Sequence, residues 1–368
     1  MHAARLDRTR AAMATQGIDV LLLSVGADLP WLIGYEAMPL ERLTMLVVPA
    51  GGDATLVVPR LEAARVVEQG DLFTVLPWGE TEDPLDLVAG LVGAAPRAAI
   101  GDRTWAQFLV GLADRLPATT FRRGSEVTGP LRAVKDAAEI EALARASAAV
   151  DRIAAELQAG AIPLVGRTEA QVSAELGRRI LAEGHQRVNF AIVAAGENAA
   201  SPHHEAGDRV IGRDEVVLCD VAGTMVADGG AGYCSDITRC VFTGEPSAEF
   251  GALYDVLFAA QAAGVAAGTV GRPAEAVDAA ARSVIDDAGY GDWFIHRTGH
   301  GIGVEEHEDP YIVAGNAEPL VAGNAFSIEP GIYVPGRWGA RLEDIVVATD
   351  EGPRPLNTVE HGLVPVDA

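Results

Sequence analysis

Five residues of this chain combine the types and spacing that binding of divalent metal ions requires. His300 stands between glycines in HRTGHGIG, so no neighbouring side chain crowds its imidazole. Glu329 in SIEPGIY and Glu343 in RLEDIVV each lie in or beside a short apolar run. A carboxylate there is costly to bury unless it is paired or bound to a metal. Upstream, Asp220 in EVVLCDVAG and Asp236 in GYCSDITRCVF add two more acids, on what reads as the two arms of a β-hairpin joined by glycines. Four carboxylates carry four negative charges, which two divalent cations would neutralise. The set therefore fits a dinuclear site. An oxygen-rich set with one imidazole favours manganese, with cobalt or zinc as alternatives, over a thiolate-type structural zinc site. Two such ions about 3.5 to 4 Å apart can activate a water between them and polarise a carbonyl, which is what amide hydrolysis needs at neutral pH.

DITR, TGHGIG, SIEPGIY and RLED, in this order between Leu131 and Leu356, closely resemble the prolidase, aminopeptidase P and methionine aminopeptidase family with the pita-bread fold. The resemblance implies that Asp236 and Glu343 bridge both ions, that Asp220 binds one of them, and that His300 and Glu329 complete the other. Glu329 is then also a candidate for relaying a proton to the leaving amine. His203 in SPHHE and His307 in GVEEHE match the family's substrate-side pair. Neither is expected to bind metal: His307 would donate a hydrogen bond to the substrate carbonyl or oxyanion, and His203 would steady the substrate. Arg341 is placed for contact with a ligand or with a substrate carboxylate, and His296 for supporting a ligand. Some prolidases carry an arginine a few positions beyond the second of these histidines, to grip the free carboxylate of a dipeptide. Tyr311 stands there instead. A phenol brings no charge, so strict dipeptide selection should weaken, with Ala-Pro-Ala cleaved at least as well as Ala-Pro, unless Arg297, Arg337 or Arg341 supplies the charge. The two aspartates are sixteen positions apart (236 − 220), farther than is usual in the family. The excess falls in TMVADGGAG, and a hairpin tolerates a longer tip at small entropic cost. Asp228 in that tip reads as a turn residue, not a ligand.

The elements that must position these groups follow from periodicity. RTRAAMATQ reads as a helix ending at Gly17, with IDVLLLS, LTMLVVPA, DATLVVPR, FTVLPW and RAAIG as strands and LEAARVVEQ, LDLVAGLVG and AQFLVGLADRL as helices. This α/β domain should close near Gly129 and Pro130. Beyond it, apolar spacing predicts one helix from Leu131 to Leu157, stopped by Gly160, and another after Thr168, capped by Thr168 with Gln171 and ended by Gly184. The strand RVNFAIVAAG, helices over Phe250 to Ala267 and Ala274 to Asp287, and strands bearing His300, Glu329 and Glu343 complete the chain. Two helices followed by ligand-bearing strands, twice over, resembles the family's pseudo-two-fold catalytic domain. The expected class is α+β: a smaller creatinase-like α/β domain over residues 1–130, then a pita-bread catalytic domain with a curved antiparallel sheet over residues 131–368. Such a leading domain shifts the expectation toward the proline-directed members. Trp31 and Tyr35 read as core or interface aromatics.

Composition narrows the partners. A chain of 368 residues with net charge −24 and pI about 4.6 is poorly suited to nucleic acid, which needs clustered cations. No run approaches a membrane span, and the amino terminus lacks the apolar segment of a signal peptide, so a cytoplasmic location is expected; the resemblance to the family implies a homodimer. Cys219, Cys234 and Cys240 all fall in the ligand hairpin and read as small buried thiols, their odd number arguing against a disulfide framework. His2, His185 and His361 have no supporting neighbours and read as surface residues, and His204 as a solvated loop imidazole. The expected activity is metal-dependent hydrolysis of the bond between an amino-terminal residue and proline in a small peptide. The alternatives are hydrolysis of a non-peptide amide on the same fold, as in creatinase, and a non-enzymatic binding protein. The intact ligand set counts against the creatinase version and against a binding protein, while hydrolysis or lysis of another small metabolite stays open.

Overall fold

The apolar runs of the first third become strands and the glycines between them become turns. A computed structural model describes residues 1–67 and 69–367. It divides into two units, Met1–Arg132 with Ala227–Gly232, and Ala133–Val226 with Tyr233–Ala368. In the first, α1 (His2–Gln16) ends where Gly17 turns left-handed at φ 67°, a conformation that costs glycine no Cβ clash. Strands β1 (Val20–Leu23), β2 (Met45–Pro49), β3 (Ala54–Pro59), β4 (Phe73–Trp78), β5 (Arg97–Ile100) and β6 (Thr120–Arg123) form one sheet in the order β4-β3-β2-β1-β5-β6. Its apolar face, with Val20, Leu22, Val47 and Val57, packs on Val88 of α4 (Pro84–Val92) and Phe108 and Leu112 of α5 (Ala106–Arg115). Trp31, on α2 (Asp28–Ile33), and Tyr35 are buried, as core aromatics should be.

One sequence expectation falls short here, and one strand carries no signal in the sequence. In LEAARVVEQ only the start of the stretch is helical, in α3 (Arg60–Ala63), and residue 68 lies outside the described residues. TFRR, with one apolar residue, carries no strand pattern, yet it is drawn into β6 by parallel pairing with β5. Gly129 and Pro130, near which the domain was expected to end, lie within a helix, α6 (Ser125–Ala133), and the first unit runs on to Arg132. Pro130 has no N–H to offer the Glu126 carbonyl one turn back, and the side chain of Gln16 donates to that carbonyl instead, at 2.8 Å.

In the second unit the single helix expected from Leu131 to Leu157 is interrupted before α7 (Ala137–Gln158). Asp136 and Glu139 form a capping box there, a start signal stronger than the apolar period running through it. The Thr168 and Gln171 box opens α8 (Glu169–Ala182) as expected. Then come β7 (Arg187–Ala195), β8 (Val216–Val226) and β9 (Gly232–Thr243). The order repeats with α9 (Ala248–Ala267), α10 (Ala274–Asp287), β10 (Gly299–Gly301), β11 (Glu308–Ile312), β12 (Ala325–Ile328), β13 (Gly331–Val334), β14 (Trp338–Arg341), β15 (Asp344–Thr349), β16 (Gly352–Pro355) and β17 (Val364–Val366). The sheets are β17-β9-β8-β7, β11-β10-β12-β15-β16 and the hairpin β13-β14. By length and composition α9 could cross a membrane. Its Phe250, Leu253, Tyr254 and Leu257 are nevertheless buried in the core, where they meet Leu218, Phe242 and Leu342.

Candidate metal centre

Strand alternation decides which way the hairpin acids point. On β8, Val217, Cys219 and Val221 pack into the core with Val172, Leu176 and Ile180 of α8, whereas Leu218 belongs to the opposite core with α9. Asp220 therefore shares a face with Leu218, and Asp236 shares one with Cys240 and Phe242. Cys219 points away from the acids. All three cysteines are free and buried, and burial raises their thiol pKa values, to about 12 for Cys234 and about 11 for Cys240, so they stay protonated. Asp228 is exposed at the hairpin tip.

His300 enters from β10, where glycine is required on both sides. A Cβ at Gly299 would run into the Ser327 carbonyl, and one at Gly301 into the Asp309 carbonyl. Glu329 and Glu343 were expected within strands. They stand just outside them, Glu329 one residue past β12 and Glu343 between β14 and β15, where the backbone leaves its ladder and their side chains can turn toward the histidine. Ligand atoms of Asp236, His300 and Glu343 all lie within 4.8 Å of one another. His300 Nε2 is 3.2 Å from Glu329 Oε1 and 4.0 Å from Asp236 Oδ2.

The electrostatics are those of a site built for cations. Burial pushes the carboxyls of Asp236 and Glu343 well above the usual carboxylate range; Glu343, Asp220 and Glu329 raise Asp236 further, as Glu329 and Asp220 do Glu343. Burial also raises Asp220, against the pull of Arg341. Glu329 is the exception: burial works against its charge, but the hydrogen bond and charge of His300 override that and hold its pKa down to about 2. Asp220 Oδ1 and Asp236 Oδ1 are buried with no hydrogen-bond partner. Buried oxygens of this kind are otherwise almost always bonded. Divalent ions would satisfy both and relieve the repulsion, so the residues fit the metal that their types imply.

A second ring of contacts holds the acids. Arg341, buried, donates to Asp220 Oδ2 at 2.5 Å, to Tyr333 Oη at 2.8 Å and to Thr238 Oγ1 at 3.1 Å, and Thr238 donates to Glu343 Oε2 at 2.8 Å. Its guanidinium also donates to the Pro202 carbonyl at 3.3 Å, so Arg341 is turned to Asp220 and the residues around it, the ligand contact of the two expected for it. His296 does not touch a ligand. Its Nε2 pairs with Tyr333 Oη at 2.9 Å and so acts through Tyr333 and Arg341. Arg239 donates to Asp344 Oδ1 at 2.7 Å and to the Glu343 carbonyl at 2.6 Å, tying the DITR strand to the RLED segment. Thr238, Arg239, Tyr333 and Asp344 carry no assignment from sequence, although all four stand in the motifs DITR, SIEPGIY and RLED.

His307 and His203 are both exposed. The His307 ring lies edge-on to His300 with centroids 4.0 Å apart. Partial burial against that ring, and then the charges of His300 and Arg297, lower its pKa to about 4, which leaves the imidazole neutral. Four other histidines depart from expectation. His204 Nε2 pairs with buried Glu169 at 2.8 Å. His185 is buried, its Nε2 against Ser235 Oγ at 2.9 Å. His361 contacts Asp344 Oδ2 at 2.5 Å, and His2 contacts the Gly229 carbonyl at 3.0 Å. The partners lie 17 to 227 positions away, beyond reach of a local reading.

Residues 137–350 match the model of Metallopeptidase family M24, and residues 5–134 that of the Creatinase/Prolidase N-terminal domain. A probable dipeptidase PepE of Mycobacterium tuberculosis is 45% identical over 370 residues, covering 100% of this chain and 97% of that protein. An Xaa-Pro dipeptidase of Lactobacillus helveticus is 36% identical, covering 94% and 95%. The crystal structure of a recombinant prolidase from Thermococcus sibiricus superposes with a TM-score of 0.93 at 34% identity, covering 100% and 99%.

Proposed function

The chain belongs to metallopeptidase family M24 and carries a creatinase/prolidase amino-terminal domain, and from that premise we propose that it hydrolyses the bond between an amino-terminal residue and proline, with two divalent ions held by Asp220, Asp236, His300, Glu329 and Glu343. The observation that carries this reading is the pair of buried, unpartnered oxygens Asp220 Oδ1 and Asp236 Oδ1, with the Asp236 carboxylate clustered with His300 and Glu343. When bound, the ions supply Lewis acidity toward the scissile carbonyl and lower the pKa of water. The chain does the rest. Arg341 and Thr238 hold Asp220 and Glu343 in place. Glu329, kept ionised by His300, can take up a proton at a carboxylate oxygen and deliver it to the leaving proline nitrogen. The neutral His307 ring can donate its one N–H to the oxygen on which negative charge grows, and His203 steadies the substrate.

The relatives named dipeptidase and prolidase favour short substrates, against the expectation drawn from Tyr311. Arg297 supports the same side. Its guanidinium lies over the Tyr311 ring at 4.5 Å and has no carboxylate partner among the described residues, whereas Arg337 is paired with Glu249 and Arg341 with Asp220. The reading therefore assigns the free carboxylate of an Xaa-Pro dipeptide to Arg297, a charged contact being stronger than a neutral one. The test is an assay of metal-stripped protein reloaded with manganese, cobalt or zinc against Ala-Pro, Ala-Pro-Ala and creatine. Ala-Pro should be cleaved best, and Arg297→Ala should raise its KM selectively. Cleavage of creatine but of neither peptide would replace the reading with a non-peptide amide hydrolase.

A further inference from the structure

Both substrate-side histidines share a local arrangement that the metal chemistry does not explain. His203 is exposed, and the next residue, His204, turns back to a carboxylate that is completely buried, with Nε2 2.8 Å from Glu169 Oε2. Glu169 also accepts from the Ala195 N–H at 2.8 Å, from Asn198 Nδ2 at 3.0 Å and from the Gly207 N–H at 3.5 Å. One side chain at the start of α8 thus gathers positions 195, 198, 204 and 207, and His203 sits inside the segment it clamps. His307 is likewise exposed, and the next residue, Glu308, opens β11 pointing inward to Lys135 Nζ at 2.6 Å, both side chains buried. Lys135 is the only lysine in the chain. Its backbone N–H donates to the Gly323 carbonyl, which fixes the point from which it reaches.

We infer that Glu169 and Lys135 are positioning residues: each holds the residue that follows a substrate-side histidine, through His204 and Glu308, and so sets where His203 and His307 stand. The physical reason is covalent linkage: His203 lies in the turn that the His204 N–H closes on the Ser201 carbonyl at 3.2 Å, and His307 stands one residue before β11, so locking the residue that follows leaves each histidine little freedom to shift. A buried charge gives a stiff lock, because releasing it leaves an uncompensated group in the interior. The inference rests on the assignment of the two histidines to substrate, so one of its tests is independent of any substrate.

Because the chain holds one lysine, an amine-reactive ester read by peptide mass spectrometry reports on the Lys135 contact alone, apart from the amino terminus. In the native protein Lys135 should resist modification, and in Glu308→Gln its labelling rate should rise at least tenfold. Labelling in the native protein at the rate of an exposed amine would overturn the inference whatever the enzyme cleaves. The second measurement takes Glu169→Gln, Lys135→Met and the milder Lys135→Arg through manganese content, thermal midpoint, and kcat and KM on Ala-Pro. Misplacement of a reacting group by about 1 Å can cost roughly a hundredfold in rate. The expected result is full metal content, KM within about threefold of native, and kcat reduced about ten- to a hundredfold in Glu169→Gln and Lys135→Met, with partial recovery in Lys135→Arg. A lowered thermal midpoint with unchanged kcat, or metal lost in step with activity, would show that the two residues support the fold or the ligands and not the histidines. If the native protein cleaves no peptide, the functional reading fails, and the labelling result still decides the Lys135 contact.

Discussion

The two units treat acidic residues in opposite ways. Among the described residues, the first unit buries no carboxylate: its acids lie at or near the surface, as Asp102 does against Arg123 and Ser125. The second unit buries Glu139, Asp151, Glu169, Asp220, Asp236, Asp278, Glu308, Glu343 and Asp344. Burial alone does not mark function, since Asp151, Glu169, Asp278, Glu308 and Asp344 are all bonded to donors. What separates Asp220 and Asp236 is that each keeps one buried oxygen unpaired. A fold can afford many buried acids if it supplies donors. Leaving two of them unpaired beside other acids is tolerable only where something cationic is to bind.

The sharpest way to break this comparison is to remove one unpaired acid. Asp236→Ala or Glu343→Ala should lower bound metal, measured by elemental analysis, and abolish hydrolysis. Full metal and activity in Asp236→Ala would mean that its unpaired oxygen marks nothing. Next in size, His307→Ala and His203→Ala should keep the metal content of the native protein while turnover falls about a hundredfold, the cost common to loss of an oxyanion donor. Purification of either variant without metal would move that histidine among the ligands.

A third prediction concerns stability without metal. The Asp236 carboxyl titrates near 3.9 when unfolded and well above that when folded, so from pH 4 upward the folded state holds a proton that the unfolded state has lost. That contribution to stability is present at low pH and disappears as pH rises through the folded value. Chelated Asp236→Asn should therefore be more stable than the chelated native protein by about 1–3 kcal/mol at pH 7.5 and by less at pH 4.5. With manganese present the order should reverse. Thermal denaturation at the two pH values, with and without metal, tests the sign.

The smallest effects belong to the exposed acids. Asp102→Asn should cost about 0–1 kcal/mol, because solvent screens its contact with Arg123. Since that contact lowers its folded pKa, the cost is present above the unfolded value and fades as pH falls through the folded one. Activity and metal should not change, nor should they in Asp228→Ala. Loss of metal in Asp228→Ala would mean that the hairpin had been misaligned.

The sequence by itself determined what depends on near neighbours. Capping at Thr168, the helix end at Gly17, the span of α10 and the alternation that separates Cys219 from Asp220 all follow from interactions between residues close in the chain. The ligand types and their motifs were legible for the same reason: glycine beside His300 and an apolar run beside each glutamate are local facts. Only the tertiary structure decided which buried group meets which. Lys135 finds Glu308 173 positions away, His185 finds Ser235 50 away, and Arg341 finds Asp220 121 away. Even Pro130 stays within its helix because a side chain from position 16 replaces the donor it lacks. Local pattern states what a residue costs to bury, whereas the donor that offsets the cost comes from wherever the fold brings the chain back, and no spacing along the sequence encodes that return.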